Sequence, residues 1–175
     1  MFRMIALIAM AAAAGSPDSD HAQSFGQWRA ETLQNGTVRA YTQNSSGSVF
    51  GISCHQLCRY YVDVSMRCTD GDVYNHPVSG DGIGTEVTLE CRTQDGSQIF
   101  SVKDGSGMIP LLKGSAISFA FATENGRFSF SRFSLTGSRQ AIAWTIAHWK
   151  QSKASPDAQQ GGGAKSDGAT KDIVL

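Results

Sequence analysis

Regular alternation of apolar and polar residues is clearest in residues 115–149. Two runs there have an apolar residue at every second position, and these positions are Ile117, Phe119 and Phe121, then Phe128 and Phe130. Such alternation is typical of β-strands that bury one face. Asn125 and Gly126 lie between the runs and favour a two-residue type I′ turn, because both residue types tolerate the positive φ angles that this turn needs.

The turn also predicts how the two strands are paired. A two-residue turn at Asn125-Gly126 places Phe121 opposite Phe130. We therefore expect the aromatic rings of both strands to share one buried face. A slip of one residue would move every side chain of the second strand to the other face.

The rest of the chain up to residue 114 consists of short apolar runs separated by turn residues. With the hairpin they predict about nine short strands, the first seven covering residues 25–33, 37–43, 48–54, 58–68, 73–78, 86–92 and 99–102. The fold class is therefore mainly β: an antiparallel β-sandwich or curled sheet with one C-terminal helix packed on it.

The last regular segment of the chain has the period of an α-helix. Ile142, Ile146 and Trp149 form a stripe at positions i, i+4 and i+7, which is typical of a helix laid on a sheet. Trp144 and His148 fall on a different face. They either form a contact surface or belong to a second packed side of the helix.

The ends of the chain differ in composition from its middle. Residues 1–22 have a positive start, a short apolar stretch and small residues, which is typical of a secretory signal peptide. Residues 23–151 form the predicted β domain. Residues 152–175 contain little apolar bulk and are predicted to be a disordered tail. We expect a periplasmic or secreted protein, since the apolar stretch is too short for a membrane anchor.

Charge excludes some partners. The chain has 15 Lys and Arg against 15 Asp and Glu, and no block of like charge. Binding to nucleic acid or to an anionic membrane is therefore not expected. The partner and the oligomeric state stay open.

Four cysteines behind a signal peptide predict two disulfides in an oxidising compartment. Cys58 and Cys68 are too far apart to bond if they lie on one continuous strand. The favoured pairing is Cys54–Cys58 with Cys68–Cys91. The remaining option is Cys54–Cys68 with Cys58–Cys91.

Metal and catalytic sites were considered at two places. Cys54, His55 and Cys58 have a spacing that zinc sites use, but a secreted chain without a second such pair favours a disulfide. His76 lies in a stretch with Asp70, Asp72 and Asp81 that could hold a metal-dependent hydrolase site, although turn-forming aspartates explain the composition more simply. The sequence has no nucleophile elbow, Walker loop, zinc-protease or dinucleotide motif. We expect no enzyme activity and no cofactor.

Two stretches of the chain contain distinctive motifs. The first is Phe-Gly-Gln-Trp at residues 25–28, and the second runs from Met-Ile-Pro-Leu-Leu-Lys-Gly at residues 108–114 to Ser-Leu-Thr-Gly at residues 134–137. Both stretches resemble the invasion-associated locus B family of bacterial envelope proteins. The chain departs from the family pattern at Ser138, where the family has Phe. The resemblance implies a β-rich exported protein without catalytic residues, in some cases linked to host-cell invasion.

These observations predict an exported, non-enzymatic β-rich protein that acts by surface interaction in the cell envelope or with a host. Trp144, His148 and His76 are the candidate contact residues. A small-ligand carrier with an aromatic-lined cavity is the first alternative, because Phe and Tyr are plentiful. A small metal-dependent hydrolase using His76 and its neighbouring aspartates is the second.

Overall fold

A computed structural model describes residues 22–94, 96–123 and 125–154. It contains ten strands, two short 3-10 segments at Ser106–Met108 and Leu111–Lys113, and one helix. The strands are β1 Ala22–Phe25, β2 Trp28–Thr32, β3 Val38–Gln43, β4 Val49–Cys54, β5 Cys58–Asp63, β6 Val73–Gly80, β7 Ile83–Gln94, β8 Ser97–Val102, β9 Ala116–Ala122 and β10 Phe128–Ser134, and the helix is α1 Ser138–Ala154.

All ten strands belong to one antiparallel sheet in the order β1-β2-β3-β4-β5-β8-β7-β6-β9-β10. The predicted mainly β fold, with one C-terminal helix, is confirmed. The sheet is curled: the rings of Phe50 on β4 and Phe119 on β9 are 5.4 Å apart, although five strand intervals separate them. A flat sheet would hold these strands about 24 Å apart.

The two ends of the curled sheet meet at a contact that we call the closure seam, between residues 25–28 and residues 134–137. The indole nitrogen of Trp28 donates to the carbonyl oxygen of Ser134 at 2.8 Å, and the Gln27 amide donates to the carbonyl of Thr136 at 3.1 Å. Gly137 has a φ of 91°, and a Cβ there would overlap the carbonyl oxygen of Phe25. The close approach of the backbones therefore requires a glycine at this position.

Aromatic side chains fill the space inside the curl. Phe50 contacts Trp28, Phe119 and Phe133 at ring distances of 5.4–5.8 Å, and all four rings are buried. They come from β2, β4, β9 and β10, so one cluster joins strands from both ends of the sheet. Burial of this much apolar surface is the main force that holds the curl together.

The predicted register of the β9–β10 hairpin is wrong by one residue. Phe121 pairs with Ser129, and Phe130 pairs with Ala120. The Thr123 amide donates to the Arg127 carbonyl at 2.8 Å and Gly126 has a φ of 73°, which makes a three-residue loop. As a consequence Phe130 is 71% exposed instead of buried.

The observed register has a physical reason further along β10. It places Phe133 opposite Ile117 on the buried face and leaves Arg132 in solvent. The predicted register would have exposed Phe133 and buried the guanidinium of Arg132. Burying an unpaired charge costs far more than exposing one phenylalanine.

Several of the predicted strands have different bounds in the structure. The first is divided into β1 and β2 by a turn at Gly26 and Gln27. The run at residues 58–68 ends as a strand at Asp63, followed by Ser65 with a φ of 53°. β6 and β7 are longer than predicted and are joined at Asp81-Gly82, where both residues have positive φ, as a type I′ turn requires.

The helix packs on the first four strands. The predicted stripe is displaced, because the fully buried helix positions are Ser138, Ala141 and Thr145. These small residues let the helix axis approach the sheet closely. The larger side chains Ile142 and Trp149 are only partly buried at the margin of this contact.

The structure pairs Cys54 with Cys58 and Cys68 with Cys91, as favoured from the sequence. Cys54 and Cys58 face each other across β4 and β5. Since β5 ends at Asp63, Cys68 lies in the following segment, which the second disulfide fastens to β7.

The predicted signal peptide, residues 1–22, lies outside the described residues except for Ala22, which is in β1. The predicted tail began at residue 152, but α1 continues to Ala154; the rest of the tail lies outside the described residues. Among the described residues, no helix has the length and apolar character needed to cross a membrane.

Candidate functional site

A cavity of about 930 Å³ opens between the β9–β10 hairpin, β6 and the segment that follows β5. We call it the aromatic cavity. Its apolar lining residues include Val64, Met66, Tyr74, His76, Phe100, Phe121 and Phe130. Hydroxyl and amide side chains lie around them, namely Ser46, Ser48, Thr123, Asn125 and Ser129.

His76, predicted from the sequence as a contact residue, is part of this cavity. Its ring lies 4.8 Å from Phe121, 6.0 Å from Tyr74 and 6.1 Å from Phe100. Its Nδ1 is 3.2 Å from the carbonyl oxygen of Ala120. A carbonyl can only accept, so Nδ1 carries the proton of this hydrogen bond.

The neighbouring proline explains why the His76 ring makes that bond. The ladder between β6 and β9 consists of Val78–Phe119 and Ser79–Ser118. Continued by one residue, it would bring Pro77 to Ala120, and proline has no N–H to donate. The His76 ring supplies the missing donor to the Ala120 carbonyl.

The second ring nitrogen of His76 has no such partner. Nε2 is buried and makes no hydrogen bond to any described residue. With the proton on Nδ1, neutral His76 presents Nε2 as an acceptor. A buried polar atom without a partner costs free energy of folding, and such atoms call for an explanation.

One wall of the aromatic cavity is fixed by covalent and polar contacts. Cys68 is joined to Cys91 by a disulfide, and the Gln98 side chain bonds both the amide and the carbonyl of Cys68, at 3.1 and 2.5 Å. On another wall the Tyr74 hydroxyl donates to Asp72 at 3.0 Å. This hydrogen bond raises the pKa of Tyr74, so its hydroxyl stays protonated at neutral pH.

The three aspartates considered with His76 are not gathered around it. Asp70 accepts from the Thr93 amide at 2.6 Å, Asp72 accepts from Tyr74, and Asp81 accepts from Ser115. Each carboxylate thus fastens a different part of the fold. Within the part of the chain that the structure describes, no three His, Cys, Asp or Glu residues are placed so that they could hold a metal ion.

Trp144 and His148 lie together on α1, and neither lines the cavity. Their rings stack at a centroid distance of 3.7 Å, and the His148 Nδ1 is 2.9 Å from the Trp144 carbonyl. Trp144 is partly buried and packs against the core.

A second feature, which sequence analysis missed, is the outer edge of β10 at Phe128 and Phe130, where no other described strand pairs with it. Along an antiparallel ladder, pairs of residues that exchange hydrogen bonds alternate with pairs that do not. The backbone bonds Thr123–Arg127 and Leu135–Ser115 show which pairs of β9 and β10 are hydrogen-bonded. The N–H and C=O groups of Phe128 and Phe130 therefore point away from β9. Both side chains are exposed, at 59% and 71%.

The cavity residues that sequence analysis missed were missed for one reason. Met66, Arg67 and Tyr74 line the aromatic cavity only because the disulfide and the curled sheet bring their segments to β9 and β10. No local pattern marks them. The sequence did contain a signal for the β10 edge, because the register predicted for the β9–β10 hairpin would have buried the guanidinium of Arg132.

The fold and its two features define a disulfide-bonded, mainly β protein built on one curled antiparallel sheet. The crystal structure of invasion associated protein B from Bartonella henselae is similar to it, with a TM-score of 0.55 and 15% sequence identity. The match covers 74% of this chain and 98% of that chain. No protein-family model and no curated protein matches the sequence.

At this level of identity the likeness is one of fold. It confirms the resemblance read from residues 25–28 and 108–137. In the structure these motif residues are structural: residues 25–28 and 134–137 form the closure seam, and Met108 and Leu111 are buried beneath the sheet.

Proposed function

We propose that this protein is an exported, non-enzymatic binding protein of the periplasm or the cell exterior. Two disulfides, one of which closes a 23-residue separation, suit an oxidising compartment. The signal-like pattern of residues 1–22 and the fold shared with an invasion associated protein support the same assignment. Its partner is an extended segment of an envelope or host protein.

The observation that carries the proposal is the apolar start of the β10 edge, at Phe128 and Phe130, where no other described strand pairs with it. Soluble proteins usually protect edge strands with charges, prolines or short length. Here the outward backbone groups of Phe128 and Phe130 pair with no described strand and lie beside exposed aromatic rings. An extended peptide could add to this edge, with main-chain hydrogen bonds supplying affinity and alternate side chains supplying specificity.

Selection of phage-displayed random peptides on the oxidised protein tests this surface. We expect enriched peptides with apolar residues at every second position, because alternate side chains of an added strand face the same way. Phe128→Pro removes one outward N–H and one ring but no bond to β9, so peptide binding should fall about tenfold. Phe128→Ser, which keeps the N–H, should lose less.

The matched control is Leu57→Ser, at a remote position that is 49% exposed. Its peptide affinity should equal that of the wild type. Peptides that bind Phe128→Pro as tightly as the wild type would place the interaction elsewhere on the surface.

Export is tested separately by cell fractionation and N-terminal sequencing. We expect the mature protein outside the cytoplasm, beginning near residue 23. Retention of Met1 on cytoplasmic protein would contradict this part of the proposal.

A further inference from the structure

We infer that the aromatic cavity is a binding site for a planar aromatic molecule that carries a hydrogen-bond donor and an anionic group. Three independent properties of the cavity define this ligand: flat apolar walls, a buried acceptor, and one positive charge among the described lining residues. The site is distinct from the β10 edge, although Phe130 adjoins both.

The walls select a flat, apolar body. The rings of Tyr74, Phe100 and Phe121 surround His76 at centroid distances of 4.8–6.1 Å. Aromatic rings attract one another in offset and edge-to-face arrangements at such distances. Val64 and Met66 complete the apolar lining, and a thioether adapts readily to aromatic ligands.

The acceptor selects a donor on the ligand. His76 Nδ1 is committed to the Ala120 carbonyl, which leaves Nε2 as a buried acceptor without a partner among the described residues. Nε2 has almost no solvent-accessible surface, so a hydroxyl or N–H of a molecule bound among the aromatic rings would satisfy this atom after the surrounding side chains shift. The site would therefore discriminate against an analogue that lacks the donor, because Nε2 would then stay unpaired.

The charge selects an anion. Among the described residues, Arg67 is the one Lys, Arg, Asp or Glu residue in the cavity lining. It belongs to none of the ion pairs between described residues. Its guanidinium offers a planar donor fork suited to a carboxylate or a sulfonate.

The dimensions agree with a small molecule. A volume of about 930 Å³ lies within the range of roughly 300–1,000 Å³ that small-ligand sites occupy. The combination of apolar walls with a few polar groups is also characteristic of such sites.

Calorimetric titration of the oxidised full chain with three probes tests the inference. The probes are 4′-hydroxybiphenyl-4-carboxylate, biphenyl-4-carboxylate and biphenyl-4-methylammonium. We expect both acids to bind at one site, the hydroxylated acid about 2- to 10-fold more tightly, because one neutral hydrogen bond separates them. The ammonium probe should bind at least about tenfold more weakly than the acids.

Two variants assign the roles. His76→Phe keeps an aromatic ring without Nε2, so the preference for the hydroxylated acid should disappear while the other acid still binds. Arg67→Gln should weaken both acids about 3- to 10-fold. Lys150→Gln, on the exposed side of α1, removes the same charge at a distance and should leave affinity unchanged.

Three outcomes would overturn the inference: neither acid binds, both bind equally, or the preference for the hydroxyl survives in His76→Phe. If His76→Phe does not fold, the affinities of the two acids for the wild type and for Arg67→Gln still test the inference. Phe128→Pro should bind the acids like the wild type, so a failure of this site and a failure of the β10 edge are separable.

Discussion

The indole N–H of Trp28 bonds the carbonyl oxygen of Ser134 at 2.8 Å, across 106 residues of sequence. Their strands, β2 and β10, are eight intervals apart in the sheet, which would be about 38 Å if the sheet were flat. This bond therefore exists only because the sheet curls until its two ends meet.

The closure seam gives a first prediction. Trp28→Phe should lower the free energy of unfolding by about 2–3 kcal/mol, because it leaves the Ser134 carbonyl without its donor and leaves space beside Phe50. Denaturant midpoints measured by tyrosine and tryptophan fluorescence or circular dichroism would show the loss.

Trp149→Phe is the matched control for that variant. Trp149 also donates its indole N–H to a backbone carbonyl, that of His55 at 2.8 Å, but at an exposed site. Water can replace the lost donor there, so the cost should stay below about 1 kcal/mol. Equal losses in the free energy of unfolding for the two variants would show that the hydrogen bond of the closure seam stabilises the fold no more than an exposed one does.

The hairpin register gives a second prediction. Phe121 is 1% exposed and Phe130 is 71% exposed. Phe121→Ala should cost about 3–5 kcal/mol, since it empties a packed position. Phe130→Ala should change stability by no more than about 0.5 kcal/mol, as surface substitutions do. A large cost at Phe130 would restore the register in which Phe121 and Phe130 face each other.

The two disulfides should contribute unequally. Their sequence separations are 23 residues for Cys68–Cys91 and 4 residues for Cys54–Cys58. Loop-closure entropy then predicts losses of about 3 kcal/mol and about 2 kcal/mol for the respective double serine variants. Urea unfolding of both variants, with a free-thiol assay to confirm that the other pair stays oxidised, measures the difference. The opposite order of stability would contradict the prediction.

Asp81 gives a prediction about pH. Its carboxylate accepts from the Ser115 amide at 2.5 Å and from the Ser115 hydroxyl at 2.8 Å, and these bonds lower the pKa of Asp81 below its ordinary value of 3.8. A lowered pKa in the folded state means stabilisation that is present above pH 3.8 and lost as pH falls through the folded pKa.

Asp81→Asn is the variant that measures this effect, because Asn tolerates the positive φ of 45° at this turn position as Asp does. The wild type should be the more stable protein at neutral pH, and the difference should shrink as the pH falls below 3.8. Thermal unfolding across pH 2–7 provides the measurement. A difference that does not change with pH would mean that the charge of Asp81 is unimportant.

Local chemistry in the sequence determined the class of this protein. Alternation gave the strands, Asn125-Gly126 located the last hairpin, the spacing of the cysteines favoured the disulfides observed, and the motifs at residues 25–28 and 134–137 indicated the fold. Each of these signals depends on neighbours in sequence, since turns and strand faces are set by local φ and ψ preferences and a period of two.

Tertiary structure decided what local patterns leave open. Asn-Gly is compatible with two loop lengths, and only the burial of Phe133 and the exposure of Arg132 selected the observed register. The same applies to the helix: Ala141 and Thr145 became its buried face because small residues allow close packing on β2 and β3. The aromatic cavity around His76 joins five separate parts of the chain. It exists because the sheet curls, and curling is a property of the whole set of packed strands rather than of any one of them.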